Sequence, residues 1–298
     1  MLWQILIGHS LKRGAMRLKE LGILSCDPLV TLLEARAKIH AVVRNPLTTS
    51  ARELEGKGVK IFQGTHESFD TFLEAAKGCN GLSLNLIPFA ENRQAMPRQA
   101  RGIIQACKDA KVEIIVVSTA FFTRDRSKWD RSGNGYDDPS PRAYFEAKAE
   151  VEDMVRNSGL QYTILRPAWI HSNYLLPNSR FYYPGLATDN ELVHSYDDRV
   201  KISHISLVGI RLQSPQNRAE ITRVVGRNLE LKKRTPQEVE TARATVPIQI
   251  FQLWASHVDL SIDGQSLQAR FGIPMTTSDK YLQREKERKL ISFPKSDS

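Results

Sequence analysis

Apolar and polar positions along this chain follow two periods in turn, and the switches between them lay out a repeat of strands and helices. Short apolar runs at 2–7 (LWQILI), 38–43 (KIHAVV), 59–62 (VKIF), 81–87 (GLSLNLI), 112–117 (VEIIVV) and 162–165 (YTIL) read as buried strands. Between them the apolar spacing widens to that of a helix. Residues 49–56 form one such stretch, closed by Gly56 and Gly58, and 69–77 another, with Phe69, Phe72, Leu73 and Ala76 on one face. A longer helix is predicted over 93–110. The last is the most clearly bounded: Ser140 and Pro141 start it, Ala147, Val151, Met154 and Val155 form its apolar face, and Asn157-Ser158-Gly159 ends it.

Strands separated by helices of about ten to fifteen residues imply βαβ units, hence an α/β fold with a doubly wound parallel sheet. Ligands of such sheets bind at the carboxyl ends of the strands. That edge carries Arg44, Gln63 and Gly64, Asn85, Ser118 and Thr119, and Pro167. Beyond it, 178–198 is rich in Tyr, Pro, Asn and Asp and reads as a loop over a substrate. Residues 200–210 resemble a strand of a known α/β family, named below, 217–235 read as a helix followed by a strand, and 236–258 as a further helical stretch with Phe251, Leu253 and Trp254. The charged tail from 279 reads as a solvated helix. The expected division is a dinucleotide-type domain over 1–175 and a smaller capping region over 176–298.

Composition narrows the class. Hydrophobic residues at 41% and charged residues at 25% are those of an ordinary globular protein, and the formal charge of +9 is spread along the chain. Such a surface attracts anionic ligands, but no zinc spacing or aromatic-interleaved basic strand points to direct nucleic-acid binding. The three cysteines are far apart and odd in number, as expected of reduced thiols in a cytoplasmic protein. No apolar run approaches the ~20 residues of a membrane span, and no paired histidine spacing suggests a metal.

Tyr144 and Lys148 are the candidate chemistry. Four residues apart on one helix, they share a face off the apolar stripe. An ammonium beside a phenol lowers the phenol's pKa, so that it exchanges a proton with a substrate oxygen. A solvated helix face is the competing reading of that spacing alone. With the following SGLQYTILRP, however, the stretch resembles the helix and strand of the atypical short-chain dehydrogenase/reductases, and most of all the NmrA-like family of NAD(P)-binding reductases and redox-sensing regulators.

The resemblance implies a Rossmann-like domain with a small C-terminal α/β substrate lobe. It also implies NADP as cofactor, since Arg44 stands where NAD-specific folds carry an acid. Hydride would pass from nicotinamide C4 to a carbonyl, enone or imine of a small organic molecule. Tyr144 would donate the proton, Lys148 would hold the nicotinamide ribose, and Ser118 or Thr119 would orient the oxygen. Asn85 and Pro167 would line the cofactor, and His171 and Asn173 would face the substrate. The family's Gly-x-x-Gly-x-x-Gly phosphate turn is matched by Gly8, Leu11 and Gly14, with leucine in place of the middle glycine. That departure keeps a non-catalytic NAD(P)-sensing regulator, or a pseudo-enzyme without cofactor, open as the alternative. A homodimer or a regulatory protein partner is also left open.

Overall fold

The computed structural model describes residues 4–8, 32–33, 36–87, 92, 94–130, 138–167, 171–176, 178–186, 188–197, 229–243, 245–246 and 248–259, with 266, 269–270, 281, 283, 285 and 292. They divide into two compact units, residues 1–126 with 142–167, and residues 127–141 with 168–298.

The first unit is built on a six-stranded sheet. In chain order its strands are β1 (Gln4–Gly8), β2 (Ile39–Val43), β3 (Lys60–Gln63), β4 (Cys79–Asn85), β5 (Ile114–Ser118) and β6 (Gln161–Leu165). In space the order is β3-β2-β1-β4-β5-β6, the arrangement of a dinucleotide-binding Rossmann sheet. Helices α1 (Thr49–Gly56), α2 (Phe69–Ala76), α3 (Ala95–Asp109) and α5 (Ser140–Arg156) connect them, and a single turn α4 (Arg126–Trp129), most of it in the second unit, precedes α5 in the chain. Strand β2 shows why the sheet is covered on both faces. Its Val42 points to the core shared by α2 and α3, whereas Ile39, Ala41 and Val43 point the other way, onto Leu54 of α1.

Helix α1 starts as its sequence dictates, with the Thr48 hydroxyl accepting from the Ala51 N–H at 3.3 Å. Helices α2 and α3 pack closely because Gly102 has no side chain. A Cβ there would lie 2.2 Å from the Phe69 ring.

Strand β1 departs from expectation. The β2–β3, β4–β5 and β5–β6 pairs are parallel, but β1 runs antiparallel to both β2 and β4. Gln4 pairs with Val42 near the carboxyl end of β2, and Gly8 pairs with Cys79, the first residue of β4. An apolar run alone carries no direction, because either polarity satisfies the ladders of both neighbours.

The second unit holds a parallel pair, β7 (Glu191–His194) with β8 (Glu230–Lys233). Around it lie the helical turn α6 (Ser179–Tyr182), α7 (Pro236–Ala242) and α8 (Gln249–Ala255). The stretch read as a loop over 178–198 thus contains a helical turn and a strand. The helical stretch expected over 236–258 is two helices. A capping box at Thr235 and Glu238 starts α7, which ends at Ala242 before α8 begins at Gln249. The strand expected over 200–210 and the helix within 217–228 lie outside the described residues.

Candidate active site

Register places three strand ends level. Asn85 pairs with Ser118, and Ser118 with Leu165, so β4, β5 and β6 finish in one row. Helix α5 lies against that row through a face that its sequence repeats every four residues: Tyr144, Lys148 and Glu152. The Lys148 side chain is buried, and its Nζ donates to the Leu86 carbonyl oxygen, just past β4, at 2.6 Å. Burial pushes this amine down to about 8 from its usual 10.5. The ammonium lies 5.7 Å from the centre of the half-buried Tyr144 ring, which meets Phe145 edge-on. The tyrosine and lysine are therefore brought together, one turn apart, at the carboxyl edge of the sheet.

One turn further along, Glu152 is fully buried and gathers a network. Arg166 Nε donates to its Oε1 at 2.8 Å and Arg166 Nη2 to its Oε2 at 2.7 Å. Arg124 Nε donates to Oε2 at 2.9 Å, the Thr119 hydroxyl to Oε1 at 2.9 Å, and Arg156 lies 3.5 Å away. Arg124 also binds Asp153. Burial alone would raise the Glu152 carboxyl, but hydrogen bonds from Arg166, Arg124 and Thr119 outweigh it and hold the group below the usual carboxylate range. The backbone follows the same seam, with Thr119 N donating to Leu165 O at 2.8 Å and Phe121 N to Pro167 O at 3.0 Å.

This network separates two hydroxyls that the sequence leaves together. Thr119 is buried and its proton is committed to Glu152, whereas Ser118 is half-buried in the row with Asn85. Sequence reasoning missed Glu152, Arg124 and Arg166. The signal was present: a carboxylate four residues after Lys148, and an arginine immediately before Pro167.

At the other half of the edge, Gly64 N donates to Val43 O at 2.8 Å, which draws the ends of β2 and β3 together. The exposed Arg44 follows β2, and its carbonyl accepts from Gln63 Nε2 at 3.5 Å. Half-buried His66 follows β3. Its imidazole is held below its ordinary range first by burial and then by the positive charge of Arg44, against a smaller opposing effect of Glu67.

Not every predicted residue joins this edge. Gly8 lies beside Cys79, at the amino end of the sheet, and Leu11 and Gly14 lie outside the described residues. His171 and Asn173 belong to the second unit, in a 3-10 turn. Asn173 is buried there, and its Oδ1 finds no hydrogen-bond partner among the described residues. Polar groups thus stand along the carboxyl edge in two places, at Asn85, Ser118 and Lys148 and at Arg44 and His66. A pyrophosphate cradle at Gly8 is not part of that edge.

The fold and this edge define a nucleotide-binding α/β protein. The sequence profile of a family described as NAD(P)H-binding matches residues 28–189, more than half of the chain, and the chain belongs to that family. The match begins after Gly8, Leu11 and Gly14. Quinone oxidoreductase 2 of Escherichia coli is 30% identical over 139 residues, which are 47% of this chain and 42% of that protein. The chain spans less than half of the length of the curated relatives it matches.

Two solved structures share the fold. The E. coli NADPH-dependent quinone oxidoreductase, solved with NADPH, superimposes with a TM-score of 0.53 at 22% identity, over 83% of this chain and 90% of that one. The Citrobacter sp. triphenylmethane reductase, solved with NADP(H), gives 0.54 at 17%, over 82% and 89%. Among the described residues no helix is long and apolar enough to cross a membrane, and no group of His, Cys, Asp and Glu has the arrangement of a metal site.

Proposed function

We propose that this protein is an NADPH-dependent oxidoreductase that reduces a quinone or a related conjugated carbonyl or imine of a small organic molecule. The observation that carries the reading is the buried Lys148 amine beside Tyr144 at the carboxyl edge of the sheet, in a chain of NAD(P)H-binding descent. Resemblance to a quinone oxidoreductase supports the substrate class.

When bound, the nicotinamide supplies hydride, and the chain does the rest. Lys148 has two N–H groups left after the bond to Leu86 O, enough to hold a ribose hydroxyl while its charge stabilises a tyrosinate. Tyr144 delivers the proton to the oxygen or nitrogen that gains charge. Ser118 orients that atom, since the Thr119 proton is engaged by Glu152. Asn85 and Pro167 flank the nicotinamide end, and Arg44 meets the 2′-phosphate. Because Gly8 stands at the far edge, the pyrophosphate is held by other groups or less tightly than in relatives with a glycine turn.

The alternative, a non-catalytic NAD(P)-responsive regulator, predicts cofactor binding without turnover. The test follows NADPH oxidation with a simple quinone. Tyr144→Phe is expected to lower kcat by about 100-fold or more with the NADPH Kd unchanged. Unchanged turnover in that variant removes Tyr144 from the mechanism, and NADPH binding without turnover in the parent protein favours the regulator.

A further inference from the structure

The ends of β2 and β3 present an arginine and a histidine whose local carboxylate is already taken. Arg44 is exposed and, among the described residues, has no carboxylate within ion-pair distance. The charged groups acting on His66 are Arg44 from the end of β2 and Glu67 beside it in its own turn. Glu67, however, is committed to α3: Arg98 donates to it at 2.8 and 3.2 Å and Gln99 at 3.1 Å. The turn is fixed as well, by Thr65 N donating to Ser68 Oγ at 3.0 Å and Glu67 N to Thr65 Oγ1 at 3.2 Å. Two nitrogenous side chains are thus held near one another on strand ends tied by the Gly64–Val43 bond.

An imidazole can become a cation beside an arginine at least cost when an anion joins them, and a phosphate monoester dianion carries the charge to satisfy both. We propose that His66 is a specificity-determining residue that works with Arg44 to bind the 2′-phosphate of NADPH, taking up a proton as the phosphate arrives. The inference rests on the NADP reading above and adds to it a residue and a proton. In the free protein the imidazole is neutral at pH 7, since both burial and Arg44 disfavour its cation. A dianion beside it reverses the second effect. NADPH affinity then rises as pH falls through the His66 pKa of the complex, and levels off below that of the free protein.

The 2′-phosphate itself titrates near pH 6, and cations around it favour proton release. The uptake due to His66 is therefore read as a difference between parent protein and variant. Calorimetric titration with NADPH and with NADH, at pH 7 in two buffers of different ionisation enthalpy, gives the number of protons bound. The parent is expected to take up about 0.3–0.8 proton more per NADPH than His66→Asn, with no such difference for NADH. The variant is also expected to weaken NADPH by about three- to tenfold and leave NADH unchanged. Equal proton uptake in the two proteins, with NADPH bound by both, overturns the role of His66 and leaves the NADP reading standing. Absence of NADPH binding in the parent overturns both.

Discussion

The two halves of the central sheet are held by different means, and the difference bears on function. At β4, β5 and β6, polar groups from one helix tie the strand ends together. Lys148 bonds to Leu86 O, and Glu152 joins Thr119, Arg124 and Arg166. Each contact is buried or half-buried, and together they set the orientation of α5 against the row where chemistry would occur. At β1 the sheet is closed by five residues that run against their neighbours and end at the far edge. That strand satisfies the ladders of both neighbours. A dinucleotide fold normally uses its first strand as the delivery route for the phosphate turn. In the proposed reading the site is concentrated in the second half of the sheet, with Arg44 and His66 as its outpost on the first.

The comparison is broken most severely at Glu152. Glu152→Ala leaves three arginines without their shared carboxylate. Denaturant unfolding is expected to show a loss of about 2–3 kcal/mol, since the arginines left behind are partly exposed and water screens part of their charge. The parent has a matching acid sensitivity. A carboxyl with a lowered folded-state pKa contributes stability that is present above the unfolded value and lost as pH falls through the folded one. The variant should show less additional destabilisation below the ordinary carboxylate range. A loss under about 1 kcal/mol would mean that the network is ornamental.

Lys148 tests the same region with a smaller effect of opposite sign. Its amine, at about 8 in the fold against 10.5 ordinarily, costs the folded state on the order of 3 kcal/mol while protonated. That cost is full below pH 8, shrinks as pH rises, and is gone above 10.5. Replacement by methionine removes it but strands the Leu86 carbonyl, which returns about 1–3 kcal/mol. Lys148→Met is therefore expected to be as stable as the parent at pH 7, or more stable by about 1–2 kcal/mol, with the advantage lost by pH 10.5. NADPH binding should weaken in the same protein. A variant much less stable at pH 7 would mark Lys148 as a structural group rather than one retained for ligand.

Much of this architecture is legible in the residues themselves. Helix α1 matches its predicted bounds, and α5 follows from Ser140-Pro141 and the Asn157-Ser158-Gly159 stop. The sheet with helices between its strands, and the edge row, follow from the alternation of strand and helix. The pairing of Tyr144 with Lys148 needed only helical spacing. Three things were hidden. The polarity of β1 depends on where its neighbours' ladders lie, not on its own side chains. Glu152 reads as a surface charge until β5 and β6 bring Thr119 and Arg166 to it across 33 and 14 residues. His66 acquires meaning only once Glu67 is seen to be turned away onto α3.

The central claim is that the carboxyl edge binds NADPH although Gly8 stands at the opposite one. The direct measurement is titration of the purified protein with NADPH and NADH, followed by nicotinamide fluorescence and by heat. Saturation by NADPH in the micromolar range, about tenfold tighter than by NADH, is the predicted result. Failure to saturate at millimolar NADPH would contradict the claim, and would leave a Rossmann-type sheet that does not hold its coenzyme.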